Sequence, residues 1–359
     1  MTLDLKPKKW AGAIRRVTLG AMPQSPGGPR GISFSLSRAV VENGPDKLKL
    51  IPQWSQHSPE AEALPLGSGS RRALTVGGGN GLPLHTFEGH FPHRPALALE
   101  ITDVDPPRWP DAVRQPWEGV LGQPAAAARR AVEEFGADLV MLHLMGTHPD
   151  RGNRSPEQAA ADARAVLGSV SVPLIVKGPG ASQKQNDVLA RVAEECRGEG
   201  LALHSACQEE YRTLAAVAVA YGHVLVAESP IDMNIAKQLN ILLADANMDL
   251  NRVLIDPLTG GLGYGLEYTY SVMERIRLAA LGGETMLNSP VICLVGEEAW
   301  KAKEVKTPGD KRGIYWEVAT ALPLIEAGAE VLVLRHPEAL ARLRGQLDSW
   351  FGERGSACR

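Results

Sequence analysis

The strongest constraint on this chain is an alternation. From about residue 97 onward, eight short, continuous apolar runs are separated by amphipathic segments. The runs are Leu97 to Ile101, Leu139 to Leu144, Leu174 to Val176, Leu201 to His204, Val224 to Ala227, Val253 to Ile255, Val291 to Val295 and Val331 to Leu334. Unbroken Val/Leu/Ile runs are expected of strands buried on both faces, as in a parallel sheet. The segments between them carry helical stripes. Tyr211, Leu214, Ala215, Ala218 and Val219 recur at i, i+3, i+4, i+7 and i+8, and Leu340, Leu343, Leu347, Trp350 and Phe351 share one side. Two helix starts are marked: Ser155-Pro156-Glu157-Gln158, and Ser229-Pro230-Ile231-Asp232 with an acid in place of the Gln. Eight βα units in series predict a (β/α)8 TIM barrel, with an open doubly wound sheet as the structural alternative.

A barrel of this kind needs about 250 residues, and the chain has 359. The surplus lies mostly at the front. Residues 1–95 are rich in Pro and Gly, with short β-like runs at Ile14 to Leu19, Ile32 to Leu36, Leu48 to Ile51 and Leu74 to Val76. They are expected to form an irregular β-hairpin extension that acts as a partner-docking arm. Residues 96–350 are assigned to the barrel and 351–359 to a C-terminal tail.

Composition narrows the function classes. Net charge −3 gives no electrostatic footprint for nucleic acid. No stretch approaches the roughly 18 apolar residues of a membrane span, and the first ten residues lack the apolar centre of a secretory signal, so a cytoplasmic protein is expected. The four cysteines, Cys196, Cys207, Cys293 and Cys358, form no Cys-x-x-Cys pair, which argues against an iron–sulfur cluster or structural zinc on this chain.

Barrel function gathers where strands end and βα loops begin. In strand order these positions hold Thr102, Asp103 and Asp105; Gly146, Thr147, His148 and Asp150; Lys177 to Gly180; Ser205; Glu228 and Ser229; Asp256 through Gly265; Gly296 to Glu298; and Arg335 with His336. The rim is polar, glycine-rich and of mixed charge, suited to a large polar ligand, and shows no obvious acid–base pair. The glycines of 260–265 fit neither G-x-G-x-x-G nor a P-loop. His85, His90 and His93 lack a carboxylate or Cys at helical spacing, so no metal is assigned to them. Asp103 and Asp105 are read as a possible carboxylate pair or as turn residues, and Cys207 as a helix-start cysteine. His204 and Ser205 are adjacent rather than arranged as base and nucleophile.

Longer runs carry a resemblance. Phe87-Glu88-Gly89, Gly136 to Leu139, Gly146-Thr147, Arg154-Ser155-Pro156, Ala220 to His223, Ser229 to Asn240, Asp256 to Arg277, Gly296 to Glu304 and Arg335 to Ala339 resemble the small subunit of the corrinoid iron–sulfur protein. In archaeal naming this is the delta subunit of the acetyl-CoA decarbonylase/synthase complex, and the resemblance spans about residues 10–345. It implies a TIM barrel related to pterin-dependent methyltransferases. It also implies a heterodimer with a large subunit that carries the [4Fe–4S] cluster and a corrinoid (cobamide), the cofactor lying against the mouth of this barrel. The heterodimer would take a methyl group on cobalt from methyl-tetrahydropterin, through a methyltransferase, and pass it to acetyl-CoA synthase in the reductive acetyl-CoA (Wood–Ljungdahl) pathway. Corrinoid contacts are then expected on the rim: Thr147, His148, Ser205, Ser229, Asp256, Thr259, Gly260, Gly261, Gly263, Tyr264 and Arg335. The resemblance implies no catalytic residue and no metal ligand on this chain. It departs at His148, where the family reads Gly-Thr-Asp-Pro. An axial role for that histidine is set aside, because the family binds its corrinoid base-off. A stand-alone pterin-dependent methyltransferase is the competing reading; Asp103 and Asp256 are candidates for the pterin edge, while Asn288 precedes its strand and sits at the wrong end. A non-enzymatic assembly module is a third.

Overall fold

The computed structural model describes residues 39–44, 47–52, 63–69, 71–81, 91–180, 182–305 and 311–352. Two antiparallel strand pairs come first. Strand β1 (Ala39–Gly44) pairs with β2 (Lys47–Pro52), and β3 (Leu64–Leu66) pairs with β4 (Leu74–Val76). Then follow β5 (Ala96–Thr102), α1 (Asp111–Arg114), α2 (Pro124–Glu133), β6 (Leu139–His143), α3 (Pro156–Ser169), β7 (Leu174–Lys177) and α4 (Ser182–Glu195). The chain continues with β8 (Ala202–Ala206), α5 (Tyr211–Tyr221), β9 (Val224–Glu228), α6 (Met233–Asp245), β10 (Val253–Asp256) and α7 (Leu266–Leu281). It ends with β11 (Val291–Cys293), α8 (Val295–Ala299), α9 (Arg312–Glu326), β12 (Ala329–Leu334) and α10 (Pro337–Gly352).

Strands β5 to β12 close into one barrel. They pair in parallel in sequence order, and β12 returns to β5 with Val331 opposite Ala96. All eight apolar runs of the sequence are strands. The seventh is shorter than its run: β11 stops at Cys293, and Leu294, at φ −89° and ψ 64°, turns the chain directly into α8. The β-like runs at 14–19 and 32–36 lie outside the described residues, as do His85 and His90, whereas Leu48 to Ile51 falls in β2 and Leu74 to Val76 is β4.

Successive side chains in a strand point to opposite faces. Leu97, Leu99 and Ile101 therefore face the helices, while Ala96 and Ala98 face the axis, where they pack with Leu139, Met141, Ile175, Ala202, Val226 and Leu254. The small β3–β4 pair joins this inner cluster. Leu64, Leu66 and Val76 are buried against the axial residues. The following turn is tied to loops that precede strands: the Ser68 amide donates to Glu199 O at 3.2 Å, the Arg72 amide donates to Ser171 O at 2.6 Å, and Arg71 pairs with Glu199 at 3.0 Å. Residues 63–69 and 71–81 thus plug the N-terminal end of the barrel and leave the opposite end open.

The two marked helix starts behave differently. Ser155 closes a full capping box with Gln158 on α3. Ser229 does not cap. The α6 cap is Asp232, whose carboxylate accepts the Asn234 amide at 2.7 Å, so the helix begins three residues later than the Ser-Pro pattern implies. The chain needs those residues to turn: Ile231 sits at φ 49° and donates its amide to Pro257 O at 3.0 Å.

Candidate functional site

In seven of the eight strands, continuing the inward alternation to the C-terminal end replaces apolar side chains by ionisable ones, whereas in β11 Ile292 is followed by Leu294. Above Ala98 stands Glu100, above Met141 His143, and above Ile175 Lys177; His204 follows Ala202, Glu228 follows Val226, Asp256 follows Leu254, and Arg335 follows Val333. One polar layer therefore caps the apolar core of the barrel. Its members are nearly all paired, as buried charge requires.

On one side, Glu100 receives Arg335 through Nε at 2.6 Å and Nη2 at 3.1 Å, and lies 2.8 Å from His143 Nδ1. Burial alone would raise the Glu100 carboxyl, but the Arg335 charge and the His143 contact outweigh it and hold it at about 2. Burial lowers His143, so the ring is neutral and its Nδ1–H donates to the carboxylate. The Arg335 guanidinium lies 5.2 Å from the Trp109 ring centre. Glu317 on α9 accepts the Arg335 amide at 2.6 Å, the His336 amide at 3.3 Å and Trp300 Nε1 at 2.9 Å. Burial raises its carboxyl to about 7.

On the other side the mouth opens into a cavity of about 540 Å³. Its floor holds two linked pairs: His204 Nε2 stands 2.8 Å from Asp256 Oδ2, and the Ser205 hydroxyl donates to Glu228. Its wall holds Lys177, paired with Glu297, and Lys301, paired with Glu297 at 3.3 Å and Glu298 at 2.7 Å. Burial works against ionisation of Glu297, yet Lys177 and Arg335 keep its carboxyl well below the ordinary range. Gln185 bridges two loops, donating to Ser205 O at 2.8 Å and accepting the Gly180 amide at 3.0 Å.

The glycine-rich loop after β10 forms the rim. The Leu258 amide donates to Asp256 Oδ1 at 2.9 Å, the Gly260 amide to Thr269 at 2.8 Å, and the Leu294 amide to the Thr259 hydroxyl at 2.8 Å. Gly260 is required by space rather than by backbone angle: a Cβ there would lie 2.3 Å from Gly265 O.

The cavity separates the expected cofactor contacts into two groups. Ser205, Asp256, Thr259, Gly260 and Tyr264 line it. Gly261 and Gly263 belong to the same loop but do not. Thr147 is wholly buried, its hydroxyl donating to Leu144 O at 2.7 Å. His148 accepts the Asp150 amide at 3.1 Å and stands away from the cavity. Ser229 is buried, and its hydroxyl has no hydrogen-bond partner among the described residues. Arg335 is committed to Glu100 below the mouth. The pterin-edge set is not assembled: Asp103 accepts the Gly146 amide at 2.9 Å and pairs with Arg154 at 3.0 Å, and Asn288 precedes β11 at the far end of the barrel. Nor do Asp103 and Asp105 form a pair, since Asp105 turns outward to Arg114 at 2.6 Å. Cys207 is not at a helix start, because α5 begins at Tyr211. It lines the cavity, where burial raises its thiol.

The rim reading missed the polar layer's internal contacts. His204 with Asp256, and Glu100 with His143 and Arg335, lie 52, 43 and 235 residues apart in the chain. The alternation was the available signal, since each member stands two residues beyond an inward apolar residue.

Comparison with known proteins places this geometry. A family model described as the CO dehydrogenase/acetyl-CoA synthase delta subunit matches residues 63–344. The acetyl-CoA decarbonylase/synthase complex subunit delta of Archaeoglobus fulgidus is 36% identical over 327 residues, covering 86% of this chain and 72% of that protein. Its counterpart in Methanothermobacter thermautotrophicus is 34% identical over 314 residues, with 86% and 80% covered. Among solved structures, dihydropteroate synthase of Xanthomonas albilineans with 4-aminobenzoic acid superposes with TM-score 0.51 at 16% identity, covering 74% of this chain and 95% of that one. The Coxiella burnetii enzyme in complex with pteroic acid gives 0.51 at 14%, covering 74% and 96%. At such identities these likenesses show the barrel fold alone.

Proposed function

Since the chain belongs to the CO dehydrogenase/acetyl-CoA synthase delta-subunit family, we propose that it is the small, non-catalytic subunit of a heterodimeric corrinoid iron–sulfur protein in the cytoplasm. Its barrel mouth covers a corrinoid held by the large subunit. The heterodimer takes a methyl group from methyl-tetrahydropterin by way of a methyltransferase and delivers it to acetyl-CoA synthase. The observation that carries this reading is family membership over residues 63–344, joined to an open, polar mouth.

The residues present fit such a cofactor as a cover rather than as an enclosing pocket. Small-molecule sites run to about 300–1,000 Å³ and bury most of a drug-sized ligand. A corrin ring with its side arms is larger than such a ligand, so a cavity of about 540 Å³ receives an edge or a side arm and leaves the ring to a partner. Asp256, Ser205, Thr259 and Gly260 are placed to meet amide-bearing arms, and Tyr264, 48% exposed, presents its ring at the lip. The corrinoid, when bound, supplies the cobalt that carries the methyl group. This chain's side chains orient it and exclude water. In this reading the N-terminal residues 1–95 contribute docking surface to the large subunit, and 351–359 form a tail. No helix among the described residues is long and apolar enough to cross a membrane.

Co-expression with a candidate large subunit, followed by size exclusion with the corrinoid absorbance monitored, tests the reading. A co-eluting heterodimer is expected, with iron and corrinoid absent from this chain purified alone. No complex would count against it, and micromolar binding of methyl-tetrahydrofolate by the isolated chain would favour the stand-alone methyltransferase.

A further inference from the structure

The wall and the floor of the mouth differ in their charge balance. Lys177 and Lys301, the lysines lining the cavity, are taken by Glu297 and Glu298. Among the described residues, the floor carboxylates Glu228 and Asp256 pair with no lysine or arginine. Glu228 meets the Ser205 hydroxyl, while Asp256 meets His204 and the Leu258 amide.

The geometry points to a single ion. His204, Glu228 and Asp256 stand at the ends of the consecutive strands β8, β9 and β10, and one ligand atom from each lies within 4.8 Å of the others. At metal–ligand lengths of about 2.0–2.2 Å, neighbouring ligands fall about 3 Å apart and opposed ones about 4.3 Å apart. The 2.8 Å between His204 Nε2 and Asp256 Oδ2 is a hydrogen bond that shares one proton, and it is also close to the spacing of neighbouring ligands, so an ion that displaces the proton finds both atoms in place. We propose that His204, Glu228 and Asp256 form a binding site for one divalent transition-metal ion, of the Zn²⁺ or Mn²⁺ class, at the base of the mouth.

Their supporting contacts suit that role. Metal-bound carboxylates are held by outer hydrogen bonds. Here the Leu258 amide fixes Asp256 Oδ1 and leaves Oδ2 toward His204, and the Ser205 hydroxyl fixes Glu228. One imidazole with two carboxylates is a donor set for first-row divalent ions rather than for soft Cu(I). All three residues line the cavity, where water or an oxygen of a bound ligand would complete the coordination. This inference is independent of the corrinoid reading, because it concerns the chain without its partner.

The test uses the full chain, stripped with chelator and then titrated with Zn²⁺ by calorimetry and with Co²⁺ by its visible absorbance. One ion per chain is expected, with a rise in melting temperature. His204→Gln and Glu228→Gln should each weaken binding by on the order of a hundredfold, and Ser205→Ala by about tenfold. Glu228→Gln guards against a folding artefact, since a glutamine carbonyl still accepts from Ser205; circular dichroism should match the parent. Absence of one-to-one binding overturns the proposal, as does binding that survives both His204→Gln and Glu228→Gln.

Discussion

The Glu100–Arg335 pair sets the strength of the barrel's upper layer, and its loss is calculable. Glu100 is 2% exposed, and Arg335 reaches it through two nitrogens at 2.6 and 3.1 Å. Its carboxyl stands at about 2 in place of 4.5, burial being outweighed by Arg335 and His143. At 1.36 kcal/mol per pH unit, that difference corresponds to about 3 kcal/mol of stability carried by the ionised form. Removing one partner of a buried pair also strands the other, at about 3–5 kcal/mol. Glu100→Gln should therefore cost about 3 kcal/mol at pH 7, because the amide keeps one acceptor but not the charge that Arg335 needs. With a urea slope of about 3 kcal/mol/M, the midpoint falls by about 1 M. The pH dependence carries the sign. The folded value lies below the unfolded one, so the contribution is complete above 4.5 and is lost as pH falls toward 2. The gap between parent and variant should hold from pH 7 to 5 and narrow below 4.5. Adding Arg335→Met, which removes the stranded cation, should restore part of the loss. A midpoint shift under about 0.3 M at pH 7, or a gap that widens in acid, would refute the reasoning.

Glu317 should behave in the opposite sense. Burial raises its folded value to about 7, so its contribution is intact below 4.5 and is lost as pH rises through 7. Glu317→Gln should melt lower than the parent in acid, because its amide nitrogen would face one of the three N–H donors that converge on the two carboxyl oxygens, and the difference should shrink by pH 8 in a series of thermal melts. Gly260→Ala should cost about 1–3 kcal/mol, since its Cβ would meet backbone atoms of Gly265 that cannot rotate aside. Gly263→Ala, with nothing within 4 Å and only a φ of +75° to oppose it, should cost less in the same urea unfolding series.

The barrel was legible because a buried parallel strand needs apolar side chains on both faces, and eight such runs have few other uses. Where the reading slipped, a local turn overrode a pattern. Ser229-Pro230 carries the signature of a helix start, but the backbone is still turning at Ile231, and the cap passes to Asp232. The rim glycines and Asp256 were legible for the same reason as the strands: a βα loop follows each. What stayed hidden was pairing across the barrel. Glu100 and Arg335 belong to its first and last strands' ends, and only closure brings them together. The packing of residues 63–69 and 71–81 was hidden for another reason, because a Pro/Gly-rich stretch announces turns and says nothing of which way Leu64, Leu66 and Val76 face.

That inward packing decides the direction from which this molecule can work. With the β3–β4 pair sealing the N-terminal end and a close-packed apolar layer above it, a ligand or a partner's cofactor can reach the polar layer only across the βα loops. The rim there is unequal. The Glu100–Arg335 side is tied down by Glu317, Trp109 and Trp117, whose Nε1 donates to Arg335 O at 3.2 Å. The side after β9 and β10 carries the open cavity and three exposed apolar side chains, Ile231, Tyr264 and Tyr268. An apolar lip beside a polar cavity is the arrangement of a docking surface, the lip giving contact area and the cavity giving orientation. In the proposed heterodimer, a large subunit that presents a cofactor to this barrel should accordingly bury that lip, and Tyr268→Ala, at a side chain that is 63% exposed, should weaken the complex while leaving the chain's own melting temperature unchanged.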